Sequence, residues 1–66
     1  MHVWINGEGR ELPDAATVAD ALDALGAPRT GVAVAVDGAV VPRAAWPEQV
    51  LAEDARVEVL TAVQGG

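Results

Sequence analysis

The side chains that most often serve as thiol or amine nucleophiles and as zinc ligands are almost missing from this 66-residue sequence. Cysteine is absent, which removes thiol nucleophiles, disulfide frameworks and thiolate-ligated metals together. His2 is the single histidine, and one imidazole on a strand beside the terminus reads as a solvated side chain, with no zinc cluster to join. All four cations are arginine, at positions 10, 29, 43 and 56, and lysine is absent, so the folded chain offers no ε-amine for acylation. Arg43 and Arg56 read as surface charges or as donors to backbone carbonyls. What remains is the C-terminal stretch "TAVQGG". Lacking a Cβ, Gly65 and Gly66 can enter a narrow channel and take whatever φ and ψ an incoming group requires. The α-carboxylate, with an ordinary pKa of about 3.3–3.7, is ionised at neutral pH and is a poor electrophile until it is activated. At an average glycine usage of roughly 7%, two in a row at a chosen place arise by chance about once in two hundred sequences, so the pair alone is a weak signal.

The elements that must carry this end are constrained by size. A domain this short buries only about 60% of the surface of its unfolded chain, which argues against a deep catalytic cleft. Its stability, rarely more than about 3–5 kcal/mol, rests on packing alone because neither disulfide nor metal is available. The composition supplies that packing, with 52% hydrophobic residues dominated by Val, Ala and Leu. The net charge of -6 has the wrong sign for gripping a phosphate backbone and argues against a nucleic-acid partner. No apolar run approaches the length of a membrane span and no basic, apolar leader opens the sequence. These features predict a soluble cytoplasmic protein with no membrane association.

Hydrophobic periodicity lays out the order of elements. "HVWIN" alternates, with Val3 and Ile5 on one side and His2 and Trp4 on the other, as a half-buried strand does. Asn6-Gly7 then predicts a hairpin turn into the short return strand "RELP", which Pro13 ends. From Thr17 the period changes: Val18, Ala21, Leu22 and Leu25 form one stripe of a helix of about nine residues. Thr17 is its N-cap, Asp20 completes a variant capping box, and Gly26 and Pro28 terminate it; Asp20 and Asp23 read as its solvated face. "GVAVAVDGAVVP" is a second hairpin turning at Asp37-Gly38, and Pro42 places its second strand at a sheet edge. "RAAWPEQVLAEDA" reads as a turn of irregular helix, with Trp46 packed beneath its own loop. "RVEVLTAV" is the last strand, running directly into Gln64-Gly65-Gly66. One amphipathic helix and one sheet must cover each other. The result is an α+β domain over residues 1–63, a mixed four- to five-stranded sheet packed on one main helix, with residues 64–66 as a flexible tail. The order is compatible with the β-grasp (ubiquitin-like) fold and also with other small α+β arrangements.

Particular residues then narrow the choice. "NGEGRELPDAATVADALDALG", "VAVAVDGAVVPRAAW" and "DARVEVLTAVQGG" resemble the thiamin-biosynthesis sulfur carrier family, ThiS, over essentially the whole chain. The most specific pieces are Val36–Arg43 with the following Trp46, and Arg56–Gly66. The resemblance implies a β-grasp fold whose first and last strands pair in parallel at the centre of the sheet. It further implies a carrier, not an enzyme, with no catalytic residues, no metal and no bound cofactor. A separate ThiF-like adenylating enzyme would spend ATP to activate Gly66. A persulfide or sulfide from a sulfur donor would convert it to a thiocarboxylate, and a ThiG-like thiazole synthase would accept the sulfur. Two departures stand out. Gln64 precedes only two glycines where family members often have three, which bears on the reach of the tail, and Ala55 occupies a position where a small turn residue is expected. A carrier for molybdopterin or another metabolite, and a ubiquitin-like interaction module without sulfur chemistry, are the competing readings.

Docking to such partners needs a surface. If Val3, Ile5, Val32, Val34, Val36, Val57 and Val59 face the helix, then Trp4, Ala33, Ala35, Leu60 and Ala62 lie on the open face of the sheet. Trp4, Leu60 and Ala62 of that face, together with Val63, are the expected partner-binding residues, and the acidic rim would steer the face toward a basic partner.

Overall fold

The computed structural model describes residues 1–61. The strands are β1 (His2–Ile5), β2 (Glu8–Glu11), β3 (Val32–Val36), β4 (Ala39–Val41) and β5 (Arg56–Thr61); α1 spans Val18–Leu25 and a short 3-10 helix spans Arg43–Ala45. They build one five-stranded sheet in the order β2-β1-β5-β3-β4. β1 and β5 pair in parallel, with Trp4 opposite Arg56 and Ile5 opposite Val57. The other three pairings are antiparallel. With α1 packed on one face, this is the β-grasp arrangement, and the last strand occupies the middle of the sheet.

Both hairpins obey their turn chemistry. Asn6 and Gly7 have φ of 52° and 83°, and Asp37 and Gly38 have φ of 50° and 87°. Both central residues of each turn are therefore left-handed, as a type I′ turn demands. The second turn sets a register in which Val34 faces Val41 and Ala35 faces Val40.

Every N-terminal amide of α1 finds an acceptor. The Thr17 hydroxyl accepts from Asp20 N–H at 3.2 Å while Thr17 N–H donates to the Asp20 carboxylate at 2.9 Å, closing the capping box. Val18 and Ala19 N–H donate to the carbonyls of Gln49 and Trp46 at 3.0 and 3.1 Å, and Ala21 N–H to Thr17 at 3.0 Å. A helix this short is marginal by itself, so the loop that supplies two of these acceptors is part of what makes it a helix. It also explains why Ala19, outside the predicted stripe, is buried, whereas Leu25 at the far end is only half-buried. Gly26 closes the helix at φ 76°, and Ala27 N–H donates to Leu22 C=O at 3.0 Å, the bonding of a Schellman cap.

The core joins Val3, Ile5, Val34, Val57 and Val59 of the sheet to Val18, Ala21 and Leu22 of the helix. Val32 and Val36, predicted on the same face, are half-buried at its margin. Periodicity did not place Leu12, Ala16, Val41, Leu51 and Ala55, which complete it. Trp46 is buried as expected, and its indole N–H donates to Val41 C=O at 2.9 Å. Ala55 also resolves one of the two sequence departures. It is buried and its carbonyl accepts from Trp4 N–H at 2.9 Å, while Asp54 before it carries the turn's positive φ of 65°.

Candidate functional site

The site is the open face of the sheet together with the end of β5, because β5 leads directly to residues 62–66. Alternation along β5 sends Val57 and Val59 into the core and leaves Arg56, Glu58 and Leu60 exposed. Cross-strand register then fixes their neighbours. Leu60 lies opposite Ala33 and Glu58 opposite Ala35 on β3, and Ala35 in turn lies opposite Val40 on β4. Leu60, Ala33, Ala35 and Val40 thus share one face, and Leu60 and Val40 are 64% and 76% exposed. These are two large apolar side chains far into solvent on one sheet face, with Ala33, Ala35 and the charged Glu58 between them.

Trp4 belongs to the same face but to its other end. It sits beside Arg56, four residues before Leu60 on β5 and so about 13 Å away at a strand rise of ~3.3 Å per residue. The Arg56 guanidinium lies 5.9 Å from the Trp4 ring centroid, within cation–π range. The His2 ring meets Trp4 edge-on at 4.8 Å and approaches the Asp54 carboxylate at 3.4 Å through Nδ1. Gly9 makes room for this stack, since a Cβ there would lie 2.6 Å from His2 Nε2. The half-buried Trp4 is therefore screened by polar neighbours, whereas Leu60 is open. Of the expected partner-binding residues, Leu60 and Trp4 fall on one face in separate groups, and Ala62 and Val63 lie outside the described residues. Gln64, Gly65 and Gly66, and with them the predicted tail, are outside them as well.

Val40 is not among the expected partner-binding residues. The alternation of "AVVP" does not say which valine points inward, but the predicted two-residue turn at Asp37-Gly38 does, by pairing Val36 with Ala39 and so Val34 with Val41. The Asn6-Gly7 pattern predicts only a turn for Asn6. Its carboxamide also accepts from Val59 N–H at 2.8 Å and donates to Val59 C=O at 3.3 Å.

Among the described residues, no three His, Asp or Glu side chains converge on a point where a metal ion would sit. Arg29 is held by Asp23 at 3.0 and 3.1 Å, and Arg10 donates to Ala24 C=O at 3.0 Å. A shallow depression bounded by Arg29, Arg43, Ala44, Trp46 and Pro47 lies beside the 3-10 helix. Neither Trp4 nor Leu60 lines it. No helix of the described residues is long and apolar enough to cross a membrane.

Comparison with known proteins bears on the fold and the family. No match is found among curated proteins. Among solved structures, the chain is similar to a thiamine biosynthesis protein (ThiS) from Geobacter metallireducens, at 28% identity over 100% of both chains with a TM-score of 0.79. The sequence model of the ThiS family matches residues 3–66. With that match spanning nearly its whole length, the chain belongs to the ThiS family, small sulfur carrier proteins of thiamine biosynthesis.

Proposed function

We propose that this chain carries sulfur to the thiazole moiety of thiamine as a thiocarboxylate on Gly66, serving as co-substrate of two partner enzymes and contributing no catalytic residue. The observation that carries the reading is that the family match runs through the C-terminal glycines to residue 66. The carboxylate of Gly66 attacks the α-phosphorus of ATP on a ThiF-like enzyme, and pyrophosphate leaves, giving an acyl-adenylate. Sulfide then adds to the activated carbonyl, the C–O bond to AMP breaks, and a thiocarboxylate results. With a donor persulfide the first product is an acyl disulfide, which a thiol cleaves to release the same thiocarboxylate. That group is a soft anionic nucleophile for a ThiG-like thiazole synthase. The chain's own absence of cysteine fits a carrier whose sulfur is held at the terminus alone. The Leu60–Val40 side of the open face supports the docking step, since it lies next to the end of β5 from which Gly66 follows.

Intact-protein mass spectrometry after incubation with the adenylating enzyme, ATP and a sulfur source tests the reading. The expected product has one oxygen replaced by sulfur, localised to Gly66 by fragmentation and lost on deletion of Gly66. An unchanged mass with a partner preparation active on its own carrier would leave an interaction module without sulfur chemistry.

A further inference from the structure

The parallel ladder between β1 and β5 does not stop where β1 stops. Its regular rungs are Trp4 N–H to Ala55 C=O and Asn6 N–H to Val57 C=O, each 2.9 Å. In a parallel pair the next rung would take Val59, accepting its N–H on one backbone carbonyl and donating to its carbonyl from a backbone amide further along β1. The chain cannot supply it, because Asn6 and Gly7 turn away with φ of 52° and 83°. The Asn6 side chain supplies it instead. Its Oδ1 accepts from Val59 N–H at 2.8 Å and its Nδ2 donates to Val59 C=O at 3.3 Å, so a carboxamide takes the place of one further peptide group.

This rung matters because of where it falls. β5 continues past β1 to Thr61, held on its other side by β3 through Val34 opposite Val59, Ala33 opposite Leu60 and Val32 opposite Thr61. Beyond Val57, the Asn6 carboxamide is the tie from the β1 side among the described residues. Gly66 follows Val59 by seven residues in the sequence.

Building on the sulfur-carrier reading, we infer that Asn6 is a positioning residue for the terminal chemistry: by extending the β1 ladder onto Val59 it fixes the course of β5 through Val59, and Gly66 follows that strand in sequence. The requirement for asparagine is chemical and conformational together. Glutamine would place the amide one methylene too far out, and few residues other than asparagine, aspartate and glycine accept a left-handed φ readily.

Two variants that keep the turn test it. Asn6→Gly suits the positive φ and removes the carboxamide. Asn6→Asp keeps the shape and the acceptor for Val59 N–H, but loses the donor and sets a carboxylate oxygen against the Val59 carbonyl. Steady-state modification of Gly66 by the adenylating enzyme, ATP and sulfide is followed by mass spectrometry. In parallel, amide hydrogen exchange is read residue by residue on the isolated proteins. The expected result is a kcat lower by about tenfold at a KM within about twofold, since misplacing a reacting end by about 1 Å costs up to ~100-fold in rate. It should persist on cooling to a temperature at which circular dichroism shows both variants fully folded. Val59 N–H should exchange faster relative to amides of β3. An unchanged kcat, a loss confined to KM, a loss that vanishes on cooling, or unaltered relative exchange at Val59 would each overturn the inference. Failure of the unaltered protein to be modified would overturn the sulfur-carrier reading instead, and is seen in the same experiment before any variant is compared.

Discussion

Leu60→Glu separates docking from folding, and the structure sets the size of both effects. Leu60 is 64% exposed, so about a third of its side chain is covered in the free protein. Full burial of a leucine side chain is worth about 1.5–3 kcal/mol, which puts the folding cost of losing that third at about 0.5–1 kcal/mol. Against a total near 3–5 kcal/mol for a domain of this size, the variant remains overwhelmingly folded. The exposed two thirds tell differently on docking. Covering them on a partner would contribute about 1–2 kcal/mol, and a carboxylate in their place adds its own desolvation cost where an apolar side chain is expected, which raises the penalty above about 2 kcal/mol. The kcat/KM for modification of Gly66 should therefore fall by about thirtyfold or more, while the melting temperature falls by only about 2–8 °C. Leu60→Ala should lose less, by about three- to tenfold, because it removes contact without burying charge. Mass spectrometry of the product at a series of carrier concentrations gives kcat/KM, and thermal melting gives the control. If the carrier with Leu60→Glu is modified within about twofold of the unaltered rate while folded, the open face near β5 is not the docking surface and the reasoning from exposure fails.

Two further predictions concern the framework. Trp46→Phe leaves the Val41 carbonyl without its indole partner and a small void, so it should cost about 2–3 kcal/mol and bring the domain near its limit; a change below about 0.5 kcal/mol in urea denaturation would show that the indole is dispensable. Ala15 is exposed and carries φ 68°, where an alanine pays about 1–2 kcal/mol that glycine avoids at the expense of some chain entropy. Ala15→Gly should raise stability by about 0.5–1 kcal/mol, and a lower melting temperature would contradict the strain.

Local chemistry decided the parts of this protein that depend on neighbours in sequence. Asn6-Gly7 and Asp37-Gly38 dictated two type I′ turns because few other residue pairs sit at two positive φ values in a row. Thr17, Asp20 and Gly26 marked the limits of α1 through side chains and backbone reaching three or four residues away. Alternation in β1 and β5 sorted Val3, Ile5, Val57 and Val59 from Trp4 and Leu60. The terminal glycines, set against a chain without cysteine or lysine, are where the sequence alone puts the proposed chemistry. Tertiary structure decided what depends on residues distant in sequence. The segment from Trp46 to Leu51 completed both the core and the N-terminus of α1, because its carbonyls meet amides about thirty residues earlier. Trp4 and Leu60, alike by alternation, were separated into a screened aromatic and an open leucine by what pairing put beside them. Asn6 gained a second role for the same reason: its carboxamide answers Val59, and a contact spanning more than fifty residues exists only once the first and last strands lie side by side.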